Sequence, residues 1–143
     1  MRIVIDASVV VKWIFPESEG EDDAEQALAL LAEVKAGRLN PLQPPHWLAE
    51  VGAVVTRLRP EIAGSVLDLL DALELPVVND LAIFKRASRI SRDLDHHLFD
   101  TLYHAVAFEH DIPLVSADGR YYRKARRLGG ITSLRRWMDI LSK

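Results

Sequence analysis

The chain contains no cysteine among its 143 residues. That absence excludes disulfide frameworks, thiolate nucleophiles and thiolate metal sites, so a metal would have to be held by carboxylate, imidazole or water. Long hydrophobic runs are missing too: nothing approaches the ~20 apolar residues of a membrane span. The opening MRIVIDASVVVKWIF mimics a signal peptide, but Asp6 and Lys12 interrupt it and an acidic run follows. A cytoplasmic protein with no membrane partner is expected. There is no Gly-rich phosphate loop, no low-complexity tract, no residue-level repeat and no linker long enough to divide domains. Ser8 and Ser116 lack the His and acid partners that a nucleophilic serine needs.

What is present is an ordinary core-and-surface balance, 49% hydrophobic and 27% charged, which predicts one domain over residues 1–143. The net charge of −3 hides an asymmetry. Seven of the first 25 residues are Asp or Glu, whereas residues 119–143 hold eight Lys or Arg against one acid, Asp139. A locally basic surface can therefore meet phosphates on an acidic protein, although a solvated helix face would read the same way.

Apolar periodicity orders the elements. A short buried strand is expected at Arg2 to Ile5, then a helix from Ser8 to Phe15 stopped by Pro16. The acidic stretch that follows reads as a loop and then a helix from about Asp22 to Ala36, closed by Gly37. Trp47, Leu48, Val51, Val54, Val55 and Leu58 recur at helical spacing and end before Pro60. Further helices fit Ile62 to Leu73, Leu81 to Arg92 and Leu98 to His110, with strands at Leu75 to Val78 and in IPLVSAD. Strands alternating with helices predict a parallel α/β sheet, in which ligands bind where strand ends turn into helices.

Asp6 and Asp118 both stand at such strand ends. Glu50 borders the apolar stripe of the Trp47 helix, and Asp100 lies in the first turn of HLFDTLYHAVAF, the least polar helix. Each acid has a plain structural reading: a cap for Asp6, a turn for Asp118, a pair with Arg57 for Glu50, a helix N-terminus for Asp100. Together they would repel one another unless a cation held them, and an oxygen-only set suits Mg²⁺, with Mn²⁺ as its substitute. Such an ion supports hydrolysis of a phosphodiester. A dehalogenase-like phosphatase would need a second Asp two residues after Asp6, where Ser8 stands. A response-regulator receiver would need paired acids and a late Lys that are absent.

The segments VIDASVVVKW, PPHWLAE, FDTLYHAVA and LVSADGRYYRKAR, in this order and over this length, resemble the PIN-domain family, most closely toxins of the VapC type. The resemblance runs from Met1 to about Leu134. It implies a three-layer α/β/α sandwich around a parallel sheet, Mg²⁺-dependent endoribonuclease activity, homodimerisation and neutralisation by a small antitoxin. It assigns a catalytic acidic quartet to Asp6, Glu50, Asp100 and Asp118, with the metal on Asp6, Asp100 and Asp118, and gives Ser8 and Ser116 supporting, water-holding roles. A PIN nuclease of RNA processing outside toxin–antitoxin systems, or a PIN module that binds without turnover, are the alternatives.

GRYYRKARR offers RNA contacts directly after Asp118: Arg120, Arg123 and Lys124 share a helix face, with Tyr121 and Tyr122 available for base stacking. Arg135 and Arg136 are expected at the surface or on the antitoxin. Trp13, Phe15 and the Trp47 helix are expected to be structural or interfacial. The DHH triplet at residues 95–97 matches a phosphoesterase motif whose companions are missing, so His96 and His97 read as residues leading into the Asp100 helix. His104 reads as a core histidine, and His46 and His110 carry no signal.

Overall fold

The computed structural model describes residues 1–16 and 23–142. The predicted acidic loop and the helix start at Asp22 lie outside the described residues. Strand β1 (Arg2–Ile5) runs into helix α1 (Ala7–Ile14), followed by α2 (Ala24–Lys35), a two-residue strand β2 (Asn40–Pro41) and α3 (Trp47–Leu58). A 3-10 turn at Pro60–Ile62 leads to α4 (Ala63–Asp71), then α5 (Leu81–Leu94), α6 (Leu98–His110), β3 (Leu114–Ser116), α7 (Gly119–Ala125) and β4 (Ile131–Ser133). Among the described residues the strands form one four-stranded sheet of order β2-β1-β3-β4, every pair parallel, and helices flank it. The α/β sandwich with a central parallel sheet is thus the architecture observed.

Ile3, Val4, Ile5, Leu114 and Val115 are fully buried, as central strands covered on both faces require. Helix α6 packs on β1 and β3 with α5 against it, and α1 packs on α2, α3 and β3. The register Ile5 to Val115 brings the ends of β1 and β3 side by side. The Asp6 N–H extends that pairing by donating to the Val115 carbonyl at 3.0 Å.

Two expectations need correction. Leu75 to Val78 is not a strand; its only bridge pairs Val77 with Gln43. Pro76 has no N–H to donate, and the Pro44–Pro45 pair ends the neighbouring chain, so no ladder can grow. The buried Gln43 completes the sheet instead: its amide accepts from the Ile5 N–H at 2.9 Å and donates to the Ile5 carbonyl at 2.7 Å. The second correction is β4, which periodicity missed because three half-buried residues carry no pattern. The Gly129–Gly130 pair before it was the available signal. Gly130 has φ +70, and a Cβ there would meet the Phe108 ring at 3.2 Å, so only glycine seats the chain against α6. Beyond β4, a 3-10 segment over Leu134–Ser142 buries Leu134, Trp137 and Ile140, the three-residue spacing of that helix.

Candidate active site

Each acid of the predicted quartet sits on a different element, and each has one oxygen held by the protein. Asp6 caps α1, where its Oδ2 accepts from the Ser8 N–H at 3.0 Å and from the Ser8 hydroxyl. That hydroxyl also accepts from the Ala117 N–H at 2.9 Å, so Ser8 ties the turn after β1 to the turn after β3. Asp118 caps α7 through Oδ1, which accepts from the Tyr121 N–H at 3.1 Å, and its own N–H donates to the Ser116 hydroxyl at 3.1 Å. The capping reading of Asp6 is therefore correct as geometry, and Asp118, read from sequence as a turn residue, is a helix cap as well.

The two helix acids are held by imidazoles instead. Glu50, in the first turn of α3, has Oε1 3.1 Å from His46 Nε2, which also contacts the Phe99 carbonyl at 2.7 Å. Asp100, in the first turn of α6, has Oδ2 2.6 Å from His96 Nε2 and 3.1 Å from His97 Nε2. Sequence reading missed His46, His96 and His97. The signal was an acid four residues after His46 and His96, each histidine standing just before the helix that carries the acid.

The quartet shares one field. Burial, then the charges of Asp100 and Glu50, push the Asp6 carboxyl up to about 7 against the two Ser8 hydrogen bonds that pull it down. Tyr103 is fully buried, and its hydroxyl makes no hydrogen bond of good geometry with any described residue. Burial, then the charges of Asp6 and Glu50, its hydroxyl's contact with the Glu50 side chain and the charge of Asp100 raise it. Tyr121 is raised by burial and by Asp6, Asp100 and Asp118.

This donor chemistry fits a divalent cation. The four acids are oxygen donors, and the repulsion that Asp100 and Glu50 exert on Asp6 is what a cation would relieve. Among the described residues the ligand atoms that lie within 4.8 Å of one another are those of His96, His97 and Asp100, and no three acids of the quartet form such a group.

The basic segment divides in two. Arg120 and Arg123 are exposed on α7, and Arg123 folds back over Gly119, where a Cβ would stand 3.0 Å from its Nη1. Arg123 and Arg135 border a cleft beside Asp118, and Arg135 pairs with Asp23 at 3.2 Å. Lys124 is turned inward, its Nζ donating to the Asp95 carbonyl at 3.0 Å and lying 3.3 Å from His96 Nδ1. Tyr121, expected to stack on bases, is only 2% exposed and cannot do so; its hydroxyl lies 2.9 Å from His104 Nδ1. His104 is the core residue expected: its Nε2 donates to the Gly129 carbonyl at 2.7 Å, and burial holds its ring below the ordinary histidine value.

Three solved structures share this fold. A toxin–antitoxin complex from Klebsiella pneumoniae superposes with a TM-score of 0.65 at 15% identity, covering 94% of this chain and 98% of that one. VapBC2 from Rickettsia felis, bound to a DNA fragment from its promoter, gives 0.65 at 17% identity, with 93% and 98% covered. PAE2754 from Pyrobaculum aerophilum gives 0.65 at 17% identity, with 99% and 96% covered. No curated protein matches the chain. The PIN domain model matches residues 3–127, the span that carries β3 and all four acids, and the chain belongs to the PIN-domain family.

Proposed function

We propose that this chain is a Mg²⁺-dependent endoribonuclease and the toxin of a toxin–antitoxin pair, acting in the cytoplasm as a homodimer. PIN domains are generally nucleases. The observation that carries the reading is the set of four acids from four elements, Asp6, Glu50, Asp100 and Asp118, with Asp6 raised by burial and by the charges of Asp100 and Glu50. Asp6, Asp100 and Asp118 would hold the cation. When bound, Mg²⁺ supplies charge to the phosphate oxygens and acidity to the attacking water. Asp6 enters that state by giving up the proton that its raised value retains. Glu50, with Oε1 beside His46, would accept the proton of the attacking water as the water oxygen bonds phosphorus, while the leaving ribose oxygen departs from phosphorus and takes a proton from solvent. Ser8 ties the two strand-end turns together, Ser116 braces the turn that carries Asp118, and Arg120 and Arg123 hold phosphates along the strand. The Lys124 charge adds to that basic field.

The antitoxin reading is supported by an apolar groove between α1, α2 and α4, lined by Trp13, Ile14, Leu31, Ile62, Val66 and Leu69 among others, with Leu69 72% exposed. A groove of this kind takes an apolar peptide segment, and two structural neighbours are toxin–antitoxin complexes.

The purified chain should cut single-stranded RNA with Mg²⁺ or Mn²⁺ present, lose the activity with EDTA, and lose it in Asp6→Asn and Asp118→Asn. RNA binding without cleavage under any divalent cation would leave a binding module as the function.

A further inference from the structure

His96 is buried to 5% side-chain exposure and boxed in on every side. The His97 ring stacks on it at 4.7 Å, the edge of Tyr121 meets it at 5.0 Å, and its backbone N–H donates to the Ser91 carbonyl at 3.0 Å. Both ring nitrogens have polar neighbours: Lys124 Nζ at 3.3 Å from Nδ1, and Asp100 Oδ2 at 2.6 Å from Nε2. An ammonium has donors and no lone pair, so Nδ1 must be the acceptor and the ring proton must sit on Nε2. The other tautomer, or a doubly protonated ring, would set two donors against each other at Nδ1. A cation ligated by Nε2 would need that same unfavourable arrangement.

From this wiring we infer that His96, with its tautomer set by Lys124, is a positioning residue: it donates Nε2–H to Asp100 Oδ2 and leaves Oδ1 as the oxygen offered to the cation. The inference rests on the proposed metal centre. It turns a cluster with the spacing of a two-histidine, one-carboxylate site into an oxygen donor, which favours Mg²⁺ or Mn²⁺ over softer ions. It also gives Lys124 a task inside the protein beside its share in the basic surface.

The test is Mn²⁺ affinity of the metal-free full-length chain, read by the electron paramagnetic resonance of free Mn²⁺, with thermal melts as a check on folding. Removing the donor while keeping volume, in His96→Leu, should weaken Mn²⁺ binding about ten-fold, the lower end for partners of metal ligands. His96→Gln, whose amide can donate from a similar position, should stay within about three-fold of wild type. Spin-echo spectra of Mn²⁺ bound to the wild-type protein should show no imidazole nitrogen coupling, a readout that stands even where a variant fails to fold. Nitrogen coupling would overturn the inference by making a histidine a ligand, and so would a His96→Leu protein that binds Mn²⁺ like wild type. Asp6→Asn separates the two levels. If it too binds Mn²⁺ normally, the metal centre itself is misplaced; if it alone loses binding, only the role of His96 falls.

Discussion

Burial and its neighbours hold the Asp6 carboxyl at about 7, against 3.8 for an ordinary Asp, and the sign of that shift sets a stability test. Below about pH 4 both folded and unfolded chains carry the proton, so Asp6 costs nothing. As pH rises from about 4 to about 7 the unfolded chain releases it while the folded chain keeps it, and the metal-free fold loses relative stability across that window. At about 1.4 kcal/mol per pH unit the full penalty is on the order of 4 kcal/mol. Asp6→Asn removes it, so metal-free Asp6→Asn should match wild type near pH 4 and exceed it by a few kcal/mol at pH 8 in urea denaturation. A difference that stays flat with pH would mean that Asp6 is not held protonated by the site. With Mn²⁺ present the order should reverse, because only the wild-type chain gains from the ion.

Elements decide what each acid can reach. Asp6 and Asp118 stand where β1 and β3 end side by side, and their caps are made by the turns themselves; Glu50 and Asp100 stand in first helical turns, each met by an imidazole from the residues leading into its helix. On the groove side, Trp13 spans α1 to α2, with its Nε1–H donating to the Ala27 carbonyl at 2.9 Å. Trp13→Ala should therefore lower the melting temperature as well as partner binding. Leu69 on α4 is 72% exposed and gives a cleaner probe. Leu69→Lys should melt within about 2 °C of wild type, since an exposed substitution changes stability by only about 0.5 kcal/mol. It should nevertheless fail to copurify with the antitoxin of the proposed pair. Unimpaired copurification would move the antitoxin off this groove.

Across the whole molecule, a chain of net charge −3 binds a polyanion only through its local positive surface. Arg120 and Arg123 are the exposed cations of α7 beside the Asp118 corner. Neutralising both should weaken RNA binding across sequences and lower the slope of log affinity against log salt by about 1.4, roughly 0.7 for each lost phosphate contact on a single strand. Mn²⁺ affinity should change little. Fluorescence anisotropy at several salt concentrations measures the slope, and an unchanged slope would place the RNA path elsewhere.

The pattern of residues alone determined the parallel α/β class and helices α1, α3 and α6 to within a residue, because apolar periodicity is a local signal, and it singled out the four acids on which the proposed site rests. It also determined the core role of His104. Contacts distant in sequence were beyond it. The Gln43 side chain completing β1, the Ser8 hydroxyl reaching Ala117, and Lys124 meeting His96 join residues 38, 109 and 28 positions apart. The β4 strand exists only because β3 lies beside it. Tyr121 and Lys124, alike to a sequence reader as parts of a basic helix, were separated by the fold: one lies in the core against His104, the other is turned inward to Asp95 and His96. A side chain's partner and burial depend on which surfaces the chain brings together, and only the packed structure specifies those.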